Sequence, residues 1–189
     1  MFSSNSDDQR IPRVRRNAPL RRPERMIAMT RILLASTVLA ALGSGVMAGF
    51  FYGFSNVVLG ALGRVPAPAG ITVMQQVNIV VINPLFMLLF MGTALLSLLL
   101  VAAPLIGYGG PGSGFAAAGA VAYLVTIMVV TMVFNVPMNN ALATVDADSA
   151  AGATLWADYL TRWTLWNHVR GIGGFVSMAL FVLALAWRG

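Results

Sequence analysis

From Val65 to Val145 the chain carries no Asp, Glu, Lys, Arg or His, and residues 32–63 carry none either. Arg64 alone separates the two stretches. Uncharged apolar runs of about 18 or more residues read as membrane-crossing helices. A water-soluble domain normally carries roughly 25% charged residues, largely on its surface. This chain has 10%, with 58% hydrophobic residues and a mean hydropathy of +0.80. It is predicted to be an integral membrane protein.

The same inventory excludes several chemistries. Without Cys there is no disulfide framework, no Cys-ligated zinc or iron–sulfur cluster and no thiol nucleophile. His168 is the single histidine, which rules out bis-His haem ligation or a His-rich metal site within one chain. Beyond Arg31 the carboxylates are Asp146, Asp148 and Asp158, all in or near one loop, which argues against an all-carboxylate di-iron centre. There is no Lys, hence no GxxxxGK[ST] phosphate loop. No metal ligands are assigned.

Charge is concentrated at the start. Residues 1–31 hold eight arginines (10, 13, 15, 16, 21, 22, 25, 31) against Asp7, Asp8 and Glu24, a net of +5 out of the chain's +6. Arginines beside a first span mark its cytoplasmic side and are attracted to anionic lipid, so the tail reads as a topology signal rather than a nucleic-acid contact. Residues 1–29 are polar and Pro-interrupted and are expected to be disordered, leaving 30–189 as the membrane domain. Met26 and Met29 offer alternative starts to Met1. The apolar run from Ile32 is too long for a cleaved signal.

Four spans are expected: about Ile32–Leu59, Ile79–Ile106, Phe115–Val136 and Gly171–Trp187. Ala150–Arg170 should form a helix continuous with the fourth and standing partly above the membrane. The connections are Leu62–Val73, the glycine-rich Gly107–Gly114, and a loop from Pro137 that carries Asp146 and Asp148. Short links impose antiparallel neighbours. The expected fold is all-α: an up-down four-helix bundle in the cytoplasmic membrane with both termini cytoplasmic. Gly45, Gly49 and Gly53 recur at four-residue spacing and favour close packing inside the bundle, with a homo-oligomer face as the alternative.

In such a bundle the polar residues of all four spans meet at one end, on the outer side. Tyr52 and Asn56 come from the first span. Gln75, Gln76, Asn78 and Asn83 lie at the entry to the second, and Asn135, Asn139 and Asn140 at the end of the third. Polar groups at membrane depth are costly and face an interior or a wet cavity. Before the fourth span, Trp156, Tyr159, Trp163, Trp166 and Arg170 recur at spacings of three and four, which aligns them on one helix stripe. Asn167 flanks that stripe, and His168 points to another side. Aromatic faces with an Arg can bind a planar ring system bearing oxygen. Plainer readings stand beside this one: aromatics as an interfacial belt, the asparagines as caps of a helix broken by Pro137, Arg170 snorkelling to headgroups, and Asp158–Arg162 as a surface ion pair.

The run Phe134-Asn-Val-Pro-Met-Asn-Asn-Ala-Leu-Ala143 and the pattern Trp156-xx-Tyr159-xxx-Trp163-xx-Trp166-Asn-His-x-Arg170-Gly171 resemble the DUF1772, or anthrone oxygenase, family. Ala48–Asn56 and Met74–Asn78 are similar to that family's other segments. The resemblance spans about residues 30–187. It implies a small four-span protein whose named members oxidise anthrones to anthraquinones with molecular oxygen, without metal or flavin. Asn135, Asn139, Trp163, Asn167, His168 and Arg170 occupy the signature positions.

A cofactor-free oxidation of this kind needs a base, stabilisation of an anion and a dry aromatic cage. The expected roles are His168 as base, and Arg170 with Asn167 as oxyanion stabilisers. Tyr52, Asn56, Gln75, Asn78, Asn135, Asn139, Tyr159, Trp163 and Trp166 would bind the substrate. A non-catalytic accessory subunit of a larger membrane complex, or a quinone- or lipid-binding module, would use the same cage. A transporter fits less well, because spans two and three contain no ionisable group beyond Tyr.

Overall fold

The computed structural model describes residues 22–188; most of the Arg-rich tail lies outside them. Five helices make the architecture: α1 (Pro23–Leu62), α2 (Ala67–Val80), α3 (Pro84–Leu105), α4 (Ser113–Thr144) and α5 (Ala150–Ala186). Among the described residues there is no strand. α1, α3, α4 and α5 are long and apolar enough to cross a membrane, and the chain is a multi-pass membrane protein. The 22 residues of α3 match the ~20 that a hydrocarbon core requires. The 40 of α1, 32 of α4 and 37 of α5 exceed it, so these three project beyond the core.

The helices are antiparallel neighbours in the order α1–α3–α4–α5, with α5 closing back on α1. Between α1 and α3, Gly43 faces Thr93 and Phe50 meets Phe86 at 5.2 Å. The Tyr123 hydroxyl of α4 donates to the Phe90 carbonyl of α3 at 2.9 Å. The Ser177 hydroxyl of α5 donates to the Gly119 carbonyl of α4 at 2.8 Å and lies 3.2 Å from the Ser44 hydroxyl of α1. This is the up-down bundle that the sequence predicts.

Lipid tails are as apolar as a leucine side chain, so close packing rather than water exclusion holds spans together. α5 supplies the small residues for it. A Cβ on Gly174 would lie 2.9 Å from the Ala48 Cβ, and one on Gly173 would run into Thr126. The glycines of α1 contribute less than their spacing predicts. Gly45 faces Met178, whereas a Cβ on Gly49 or Gly53 would meet nothing within 4 Å.

Several boundaries differ from expectation for local reasons. Residues 22–29, read as the end of the tail, are already helical. The expected loop Leu62–Val73 is mostly α2, whose early Pro68 sits where a helix has no use for an N–H. The second span begins at Pro84 rather than Ile79, because the Asn83 side chain caps α3, accepting from the Phe86 amide at 3.0 Å. α4 does not stop ahead of Pro137. π-helical turns at Leu124–Val129 and Thr131–Asn135 open the ladder upstream, so the helix absorbs the missing donor and the ring's bulk. After α3, Gly107 adopts φ +90° and the Tyr108 amide returns to the Ala103 carbonyl at 3.0 Å. That turn starts the short link to α4. The α5 N-terminus is capped by Ser149, which accepts from the Gly152 amide at 2.9 Å.

The end of α1, the whole of α2, the end of α4 and the start of α5 gather into a cap. Its core holds Phe54, Ile71, Met74, Leu142, Trp156, Tyr159 and Trp163. Where such a side chain would otherwise meet water, burial contributes about 1.5–3 kcal/mol each. Gln75 tethers α2 to the end of α4, donating to the Leu142 and Val145 carbonyls at 2.9 and 3.2 Å. The site lies where this cap meets the spans.

Candidate functional site

The buried stripe of α5 builds the wall. Trp156, Tyr159 and Trp163 stack in series, with centroids 5.6 and 5.7 Å apart and planes within 17°. Asn139 on α4 fixes two of these rings. Its Oδ1 accepts from the Tyr159 hydroxyl at 2.8 Å and from the Trp163 Nε1 at 2.7 Å. With both rings held by one acceptor, the face of Trp163 has a defined orientation towards the space beneath it.

Above Trp163 lies Arg170, 5% exposed. Its guanidinium carbon is 4.2 Å from the Phe51 ring centroid and 5.0 Å from that of Trp163. One terminal nitrogen donates to Asn167 Oδ1 and the other to the Thr131 hydroxyl at 3.2 Å. Nε is buried and has no partner. Asn167 is itself clamped, its Nδ2 donating to the Phe51 carbonyl at 2.7 Å and to the Ser55 hydroxyl. Among the described residues no carboxylate pairs with Arg170, and Asp158 is joined to the exposed Arg162. A buried ion without a counter-ion carries a desolvation penalty of several kcal/mol. Two neutral acceptors and two ring faces offset only part of it. The arrangement is therefore complementary to an anion.

Arg170 and Trp163 line a cavity of about 220 Å³. Its walls are Phe51, Phe54, Phe86 and Phe90, with Asn78, Asn139 and Thr131 as the remaining polar contributors. The volume falls below the ~300–1,000 Å³ of sites for drug-sized ligands, which suits a compact rigid ring system. A second cavity of about 360 Å³ adjoins it and shares Asn78, Ile82, Val136 and Asn139. Among the described residues no three His, Asp or Glu side chains converge. The polar lining of guanidinium, amide and hydroxyl matches oxygen atoms on an organic ligand.

The residues singled out in the sequence separate into groups. Asn78, Asn139, Trp163 and Arg170 face the main cavity. Tyr159 and Asn167 stand directly behind it as the partners of Asn139 and Arg170. Asn135 is buried, with a long 3.4 Å contact from Nδ2 to the Trp163 carbonyl and an unpartnered Oδ1. Gln75 lines the second cavity and holds α2 in place. The structure does not bring the others there. Tyr52 is exposed beside Phe175, and Asn56 is exposed with its amide on the Tyr52 carbonyl. Trp166 stacks on Phe134 at 3.5 Å and 6°. His168 is half-buried and lines neither cavity, and its side chain makes no hydrogen bond among the described residues.

At 100° per residue, Asn167 and Arg170 lie about 40° to one side and about 20° to the other side of Trp163 on the helix, while Trp166 lies roughly 60° round, beyond Arg170. Phe51, Ser55 and Thr131 contribute to the site without having been singled out. Phe51 and Ser55 repeat at four-residue spacing, as Tyr52 and Asn56 do one position on, so the spacing alone does not choose between the two faces. Thr131 stands one helical turn before Asn135, which was its available signal.

The family model of anthrone oxygenases matches residues 86–180. This chain belongs to the anthrone oxygenase family. The family match covers most of α3, all of α4 and the α5 stripe through Arg170, while Phe51 of α1 and Asn78 of α2 complete the cavity from outside it. No curated protein and no solved structure matches the chain.

Proposed function

We propose that this anthrone oxygenase family protein is a membrane-embedded oxygenase that binds a planar phenolic aromatic of anthrone type as its anion and oxidises it with molecular oxygen. The observation that carries this reading is Arg170, a buried guanidinium without a counter-ion on the wall of an aromatic cavity. An enolate or phenolate oxygen supplies the counter-charge that the guanidinium lacks. Phe51, Phe54 and Trp163 hold the rings.

The chemistry then balances without a further reductant. The substrate's ring methylene loses one proton to solvent as the ligand enters from the bulk, and Arg170 stabilises the resulting oxyanion. The electron-rich anion passes one electron to oxygen, and the radical pair joins to form a carbon–oxygen bond. The peroxide takes up a proton. Cleavage of its O–O bond, with loss of the remaining C–H proton, gives the carbonyl and one water. An anthrone and one oxygen molecule become an anthraquinone and water. The residues act by holding charge and excluding solvent, with no covalent step on the protein. By the positive-inside rule we place the Arg-rich N-terminus at the cytoplasmic face of the cytoplasmic membrane, with the cavity toward the opposite face.

The test is oxygen uptake by the protein in lipid nanodiscs supplied with a dihydroxyanthrone, against empty nanodiscs because anthrones autoxidise. One quinone formed per oxygen consumed, above the empty-disc rate, supports the proposal. Ligand-dependent quenching of Trp fluorescence with no added uptake overturns the catalytic step.

A further inference from the structure

The second cavity differs in chemistry from the first. We propose that it is a substrate subsite for an uncharged, hydroxyl-bearing substituent on the aromatic ring system. The inference rests on the oxygenase reading, since it needs the rings to occupy the cavity under Arg170.

Three observations point to it. The two cavities share Asn78, Ile82, Val136 and Asn139, so a ligand longer than the ring system reaches from one into the other. Five amide side chains line the second: Gln75, Gln76, Asn78, Asn139 and Asn140. No charged residue does. A carboxylate or ammonium substituent would find no counter-ion there, and an alkyl substituent would leave the amides facing it unpaired.

The free hydrogen-bonding positions specify the substituent further. Asn78 Nδ2 is buried at the junction near the Tyr159 hydroxyl, without a partner in good hydrogen-bond geometry. Asn139 commits its Oδ1 to Tyr159 and Trp163, which leaves its Nδ2 as a donor. Gln75 commits its Nε2 to two carbonyls of the α4 end, which leaves its Oε1 as an acceptor. Two donors and one acceptor on fixed side chains match a hydroxyl group, which accepts and donates at once. Gln76 and Asn140 are exposed and form the outer rim, where a larger polyhydroxylated group would continue. The Gln75 tether and the Asn139 network hold these amides in place before ligand arrives, so little ordering is needed on binding.

Two or three such hydrogen bonds translate to roughly 10–100-fold in affinity over the same ring lacking the substituent. The experiment measures Kd by Trp fluorescence quenching, without oxygen, for the full chain in nanodiscs. The probes are a dihydroxyanthrone, its hydroxymethyl derivative and its carboxylate derivative. The proposal predicts that the hydroxymethyl probe binds at least about tenfold tighter than the parent and the carboxylate probe more weakly than the hydroxymethyl. In Asn78→Leu the ratio of parent to hydroxymethyl Kd collapses towards one. Asn78→Ala removes the same amide without adding bulk, reports on the same subsite if the first variant does not fold, and is expected to reduce the ratio in the same direction. Equal binding of all three probes, or tightest binding of the carboxylate, overturns the subsite while leaving the cavity under Arg170 intact. Failure of even the parent to bind overturns the oxygenase reading and this inference together.

Discussion

Replacing Arg170 by Gln separates a functional charge from a structural one, because the two roles predict opposite outcomes. An oxyanion about 4 Å from the guanidinium gains roughly 4 kcal/mol at an effective dielectric constant of 20. A glutamine returns part of that as a dipole, so the net loss falls in the range of about 2.7–4 kcal/mol seen when one oxyanion donor is removed, or 10²- to 10³-fold in turnover. Stability responds differently. The substitution removes a desolvated cation that has no counter-ion, which relieves several kcal/mol. It also loses the contacts with Phe51 and Trp163, worth about 2 kcal/mol in a desolvated setting. Asn167 Oδ1, now without its donor, costs a further ~1–3 kcal/mol. These contributions nearly cancel. The expected result is an unfolding temperature within a few degrees of the parent protein with oxygen uptake reduced at least about a hundredfold. Uptake in nanodiscs and thermal unfolding followed by Trp fluorescence measure the two quantities on one sample. Full turnover in the variant, or a collapse of stability that accounts for the lost turnover, would refute the reasoning.

Three further substitutions test the geometry. His168→Ala should leave uptake within about twofold, because His168 lines neither cavity and an exchange away from such features is usually worth no more than ~0.5 kcal/mol; a loss as large as that of Arg170→Gln would return it to the site. Asn139→Leu strips the acceptor from both Tyr159 and Trp163. At about 1–3 kcal/mol per orphaned donor, it should lower both unfolding temperature and turnover. Gly174→Leu drives a side chain into Ala48 and should destabilise the α1–α5 contact by about 1–3 kcal/mol, read as a lower unfolding temperature with no change in the pH dependence of turnover.

The spans, their antiparallel order and the long fourth helix were legible because charge-free apolar runs leave few alternatives in lipid. The collection of polar groups at one end followed from connectivity alone. Which helix face they occupy did not. Tyr52 and Asn56 share a spacing with Phe51 and Ser55, and only the packing of α5 against α1 decides that the latter pair faces inward. Trp166 was counted with the stripe because spacings of three and four both look helical, yet it lies about 60° from Trp163, at the edge of the stripe, where it stacks on Phe134. The passage of α4 through Pro137 depends on π-helical turns that no residue pattern announces. Asn139 was visible as a polar group, but its role as the shared acceptor of two rings exists only once α4 and α5 are side by side.

The central claim is that the cavity under Arg170 holds an aromatic substrate as its anion. The most direct measurement is the absorption spectrum of a dihydroxyanthrone bound without oxygen to the protein in nanodiscs, at a pH where the free compound is neutral. The account predicts the spectrum of the anion for the parent protein and that of the neutral compound for Arg170→Gln. A neutral spectrum in the parent protein, or the same anion spectrum in both, would contradict it.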